Sequence, residues 1–136
     1  MNAHLFAYGT LMTAAAGALG RPQRERLQRE AASLGAATTA ARLFDLGRYP
    51  GLVLATAAGD VVHGEVFELA DPATSFAWLD AYEGITPGTA DPQYERIERP
   101  VLLADGRRIT AWVYVYRHDL SSARPVVDGR WRARCS

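Results

Sequence analysis

The sequence predicts an α+β fold: a small mixed β-barrel carrying one or two short helices. Three observations lead there. Strand-like runs outnumber helical ones, at roughly five to seven against one or two, leaving too few crossover helices for a parallel α/β sheet. Several runs place apolar side chains on both faces, which suits strands covered on two sides. The chain of 136 residues, 49% of them hydrophobic, suits one domain over residues 1–136 with a single real core.

The opening strand is the apolar Leu5-Phe6-Ala7, and it runs into the turn Tyr8-Gly9-Thr10-Leu11. A glycine after a buried strand allows a sharp turn whose following N–H groups point one way, an anion cradle in outline. An Ala-rich stretch from Thr13 to Leu19 follows. The segment from Arg21 to Glu30, with Pro22 near its start and mixed charges behind it, reads as a short helix whose charges face water.

From Leu34 to Leu46 the pattern is strand-like and closes in the dense turn Gly47-Arg48-Tyr49-Pro50-Gly51. A strand resumes through Leu52-Val53-Leu54. Ala58-Gly59-Asp60 turns again into Val61–Leu69, whose two apolar faces predict a central strand. Asp71-Pro72 opens a helix in which Phe76, Leu79 and Tyr82 recur at helical steps, and Gly84 stops it. After the loop Ile85–Pro92, strands Tyr94–Leu103 and Ile109–Tyr116 form a hairpin about Ala104–Arg107. The rest, from His118, is irregular, with Val126–Trp131 as its patterned piece.

Composition excludes several functions. The 15 basic residues, all arginine, balance 15 acidic ones, so no global field favours nucleic acid or an acidic membrane. The basic tail Arg130-Trp131-Arg132-Ala133-Arg134 reads as a solvated terminus. A chain without lysine has no P-loop, and its serines lack a nucleophile-elbow context. His4, His63 and His118 have no paired spacing and Cys135 is the only cysteine, so no metal is expected, nor a disulfide. With no leader-like or membrane-spanning stretch, the expectation is a soluble cytoplasmic protein.

What remains is acid–base chemistry by a carboxylate. Glu83 stands in the last helical turn beside Tyr82 and directly before Gly84. The helix C-terminus carries partial negative charge, which repels a carboxylate and raises its pKa, and a raised pKa suits a proton shuttle. The competing reading is a surface glutamate sitting in water.

Four segments, in order, then agree with one pattern: Tyr8-Gly9-Thr10-Leu11, Gly47-Arg48-Tyr49-Pro50-Gly51, Leu79-Asp80-Ala81-Tyr82-Glu83-Gly84 with Tyr94-Glu95-Arg96, and Trp112-Val113-Tyr114-Val115-Tyr116. Together they resemble the gamma-glutamylcyclotransferase-like family, in particular its short AIG2-like branch. The resemblance spans nearly the whole chain. It implies a small mixed barrel in which Glu83 is the catalytic glutamate and Tyr8, Gly9, Thr10 and Leu11 form the substrate-binding turn; Tyr94 and Tyr116 are further candidate substrate contacts. Thr10 stands where members commonly carry serine, which keeps a hydroxyl. The implied reaction needs no cofactor: the α-amine of a small gamma-glutamyl substrate attacks its own γ-carbonyl, closing 5-oxoproline and expelling an amine, with Glu83 moving the protons. The turn's N–H groups would hold either the α-carboxylate or the developing oxyanion. Two other readings stay open: a non-catalytic ligand-binding or regulatory module on the same fold, and a cyclotransferase that removes a gamma-glutamyl protecting group. The leaving amine and the oligomeric state are not legible.

Overall fold

The spine of the molecule is β2 (Ala31–Asp45), a 15-residue strand that pairs with four others along its length. The computed structural model describes residues 1–131 apart from 14, 16, 17, 55–57 and 89. Around β2 lie β1 (His4–Ala7), β3 (Pro50–Leu54), β4 (Val61–Leu69), β5 (Tyr94–Leu103), β6 (Arg108–Tyr116) and the two-residue β7 (Arg124–Pro125). Helix α1 (Arg21–Glu30) runs directly into β2, and α2 (Pro72–Tyr82) joins β4 to β5.

The path β2-β4-β1-β6-β5 returns to β2 through Ala37 opposite Leu103 and Thr38 opposite Leu102, which closes a five-stranded barrel. All contacts around it are antiparallel except β1 with β6, where Leu5 lies opposite Trp112 in parallel. Past the barrel, β2 continues as a ribbon with β3 and touches β7. A register shift between Ser33 and Gly35, with Gly35 at φ +96°, bends β2 where it wraps the barrel.

Alternation sorts the side chains into two apolar clusters. Phe6, Val62, Val66, Val101, Leu103, Ala111 and Val113 point inward and fill the barrel. Their neighbours along the same strands, Leu5, Phe67, Leu69 and Tyr114, point outward under the helices and meet Leu27, Phe76 and Leu79. That explains the two apolar faces of β4 and β6, and β4 is central as its sequence predicts. Gly64 faces Phe6 and the Ala7 carbonyl so closely that a Cβ would strike the Phe6 ring at 2.7 Å.

Helix α2 is well specified. Asp71 caps it by accepting from the Thr74 N–H at 3.3 Å and the Thr74 hydroxyl at 2.8 Å, and Pro72 occupies its first turn. Two polar ties hold it to its neighbours. Glu30 accepts from Ser75 Oγ at 2.7 Å, Trp78 Nε1 at 2.8 Å and Arg26 Nε at 2.7 Å. Arg96 donates twice to Asp80, at 2.8 and 3.2 Å, while its guanidinium lies over the rings of Phe76 and Trp112.

Three features depart from the sequence reading. Strand β2 starts at Ala31, before Leu34, because the small residues Ala31, Ala32 and Ser33 pair with β4 without any apolar alternation to announce it. The charges of α1 do not all face water: Arg24 is 7% exposed and Leu27 fully buried. Gly9 is not in the left-handed region; it is small because Pro50 packs against it, where a Cβ would stand 2.9 Å from Pro50 Cγ. The patterned C-terminal piece does pack, with Trp131 partly buried against the barrel cluster and the Gly129 carbonyl accepting from the His63 N–H at 2.8 Å. Cys135 and Arg132–Arg134 lie outside the described residues, as do parts of the Ala-rich segment and of the loop before β5. Among the described residues no helix is long and apolar enough to cross a membrane, and no group of three His, Cys, Asp or Glu is placed to hold a metal ion.

Candidate active site

A cavity of about 340 Å³ opens where the end of β1, the end of α2 and the turn before β3 converge. Its wall includes the whole Tyr8-Gly9-Thr10-Leu11 turn together with Glu83 and Tyr94, so six of the seven residues proposed from sequence meet here. Tyr116 does not line it. Its ring stacks edge-on against Tyr94 at 5.4 Å between centroids and lines a neighbouring, more polar cavity with Asp45 and Asp119. The strand alternation that brings Tyr114 to the first cavity carries Tyr116 two residues further along β6, past its rim.

Glu83 is delivered by the way α2 ends. Gly84 takes φ +82°, its N–H bonds the Ala81 carbonyl at 3.1 Å, and the Ile85 N–H bonds the Asp80 carbonyl at 2.7 Å. This paired closure satisfies the last carbonyls and stops the helix, leaving Glu83 as its C-cap residue. The Glu83 side chain is half-buried on the cavity wall, and among the described residues no hydrogen bond reaches its carboxylate. Its pKa is raised to about 7, first by burial and then by the Asp80 carboxylate one turn earlier. Burial is the larger of these two causes and the Asp80 charge the smaller. Asp80, by contrast, is well partnered, holding Arg96 and accepting from Tyr114 Oη at 2.6 Å.

Phenols surround the glutamate. Burial holds Tyr8, Tyr94 and Tyr114 well above the ordinary tyrosine range, and the Glu83 charge adds to each. They are neutral walls. The Tyr8 hydroxyl donates to the Tyr114 carbonyl and receives the Leu52 N–H at 3.4 Å; the Tyr94 hydroxyl donates to the Pro50 carbonyl at 2.8 Å. Both are occupied by backbone, so they shape the cavity with their rings, Tyr8 tying β3 to β6 and the end of β1, and Tyr94 tying β3 to β5.

The turn is anchored from behind. Gly9 accepts from the Met12 N–H at 3.2 Å, the Thr10 hydroxyl pairs with Tyr82 Oη at 3.0 Å, and the Thr10 carbonyl receives Arg24 Nη1 at 2.9 Å. Among the described residues the N–H groups of Gly9, Thr10 and Leu11 have no hydrogen-bond partner. A cavity lined by both free donors and an uncommitted carboxyl can bind an anionic or carbonyl oxygen while moving a proton nearby. Tyr49 and Gln93, which the sequence reading does not assign, also border the cavity, with Tyr49 Oη 3.5 Å from Gln93 Oε1. The dense turn around Tyr49 is a signal for the first; nothing in the sequence marks the second.

The chain matches a family model described as gamma-glutamyl cyclotransferase, AIG2-like, over residues 5–133. No curated protein matches the sequence. Solved structures share the fold. Protein ytfP from Escherichia coli is 28% identical, with 94% of this chain and 95% of that one aligned and a TM-score of 0.61. An AIG2-like protein from Mus musculus is 21% identical, with 98% and 96% aligned and a TM-score of 0.63. YkqA from Bacillus subtilis is 23% identical with a TM-score of 0.68; the match takes in 96% of this chain but only 40% of YkqA.

Proposed function

The chain belongs to the gamma-glutamyl cyclotransferase, AIG2-like family, and from that premise we propose that it is itself a gamma-glutamyl cyclotransferase with Glu83 as the proton-transfer group. The observation that carries the reading is the Glu83 carboxyl: half-buried, uncommitted, pushed up to about 7, and lining the same cavity as the donor turn. A group with a pKa near the working pH both accepts and returns a proton readily.

The substrate is a small gamma-glutamyl amide, acted on in the cytoplasm. Its α-ammonium gives a proton to the Glu83 carboxylate, and the freed amine attacks the γ-carbonyl carbon, forming the ring C–N bond and an oxyanion. Glu83 then protonates the departing nitrogen as the old C–N bond breaks, and takes the surplus proton from the ring nitrogen. The products are 5-oxoproline and an amine, which picks up that proton and returns Glu83 to its ionised form. Because nucleophile and carbonyl belong to one molecule, the cavity has mainly to hold the curled rotamer, a task suited to the fixed rings of Tyr8 and Tyr94. No step calls for a cofactor.

The test is mass-spectrometric detection of 5-oxoproline after incubating wild-type and Glu83→Gln protein with gamma-glutamyl amines and dipeptides. Product from wild type alone is the expected result. Ligand-induced thermal stabilisation with no product from a folded wild type would overturn the reading in favour of a binding module.

A further inference from the structure

The lining of the cavity contains no arginine or histidine among the described residues, and the chain has no lysine. Any positive charge for an anionic substrate group must therefore act through the wall. Arg24 is placed to do so. It is 7% exposed, its own N–H bonds the Gly20 carbonyl at 2.8 Å in the first turn of α1, and its Nη1 donates to the Thr10 carbonyl at 2.9 Å. Gly20, at φ +75°, brings that helical turn against the Thr10 and Tyr82 hydroxyls so tightly that a Cβ would lie 2.7 and 2.8 Å from them.

The Thr10 carbonyl and the Leu11 N–H belong to one trans peptide, so they point in opposite directions. With the carbonyl held by a guanidinium behind the wall, the N–H is turned to the cavity side. A charge-assisted bond to the oxygen also polarises the whole peptide unit and strengthens the N–H as a donor. From this geometry we infer that Arg24 is a positioning residue: it sets the Thr10–Leu11 peptide and supplies the charge behind it, making the turn a ground-state receptor for the substrate's α-carboxylate. A fixed cation favours a group that is anionic throughout the reaction, whereas an oxyanion exists only at the transition state.

This inference rests on the cyclotransferase reading, and the experiment separates the two. Binding of 5-oxoproline is compared with binding of 2-pyrrolidinone, the same ring without its carboxylate, for wild type, Arg24→Gln and Arg24→Lys, alongside steady-state release of 5-oxoproline from a gamma-glutamyl amine. The expected result is that Arg24→Gln weakens 5-oxoproline at least tenfold, leaves 2-pyrrolidinone within twofold, and raises KM about tenfold with kcat within threefold; Arg24→Lys recovers most of the loss. Equal weakening of both compounds, or a fall in kcat at unchanged KM, overturns the assignment. If neither variant folds, amide spectra of wild type decide: the Leu11 N–H must shift on adding 5-oxoproline and stay still on adding 2-pyrrolidinone. A wild type that turns over gamma-glutamyl amines but binds both rings equally defeats the role of Arg24 alone. One that neither turns over nor binds defeats the cyclotransferase reading as well.

Discussion

Glu30 and Glu83 flank the same helix and have opposite surroundings. At the N-terminal half of α2, Glu30 accepts from Ser75, Trp78 and Arg26, and those donors, the Trp78 bond foremost, bring its pKa down to about 2 despite an opposing contribution from burial. At the C-terminal end, Glu83 has the burial without the donors and sits at about 7. The residue type is the same; the local supply of N–H and O–H groups decides whether a carboxylate fastens two helices or is left free to exchange a proton.

The contrast also has a sign in pH. Glu30 stabilises the fold fully above the ordinary carboxylate pKa, near 4.5, and that contribution is lost as pH falls toward about 2. Glu83, raised, contributes fully below about 4.5, and its contribution is lost as pH climbs to about 7. From these two groups alone, stability is greatest around pH 4 to 5.

The sharpest way to break the comparison is Glu83→Gln. Turnover should fall about a thousandfold, the middle of the range for removing a positioned acid–base group. The melting temperature at pH 8 should rise, because a buried charge costing on the order of 2 kcal/mol is gone; an unchanged or lower melting point at that pH would contradict the assigned surroundings. In wild type, kcat/KM should increase as pH passes through about 7 while Glu83 ionises. Next in size is Asp80→Asn. Removing the neighbouring negative charge should move that activity limb to lower pH, while releasing Arg96 from its bidentate bond costs about 1–3 kcal/mol of stability in denaturant titration. Glu30→Gln should cost about 1 kcal/mol at pH 7 and almost nothing at pH 2, with KM unaltered. Smallest is Tyr116→Phe, outside the cavity wall: kinetic constants should stay within twofold, and a larger rise in KM would restore Tyr116 to the binding surface.

The barrel is legible in the sequence because strands apolar on both faces, such as Val61–Leu69 and Ile109–Tyr116, must be covered from two sides, and Glu83 is legible because Gly84 fixes where the helix stops. The parts that stay hidden are those that distant residues decide. Nothing near Arg24 says that its guanidinium will be drawn under the Tyr8–Leu11 turn, since the Thr10 carbonyl that receives it lies beyond an Ala-rich stretch of no clear pattern. Gly9 suggests backbone freedom, but its φ is ordinary and the demand comes from Pro50. Tyr116 is equivalent to Tyr114 by alternation, and only the position of the cavity rim along β6 separates them.

Strand β1 lies between β4 and β6, with Leu5 opposite both Phe67 and Trp112. On the ribosome, therefore, β1 precedes every other strand of the barrel and its partners arrive late, the second of them only after β5 has been synthesised. Until then Leu5-Phe6-Ala7-Tyr8 is an unpaired apolar segment, a natural target for chaperones and for aggregation. Such distant pairings are slow to form. Because the donor turn hangs from the end of this strand, a nascent chain has Glu83 in its helix before it has anything across the cavity to work with, and catalytic competence should emerge only with the finished barrel.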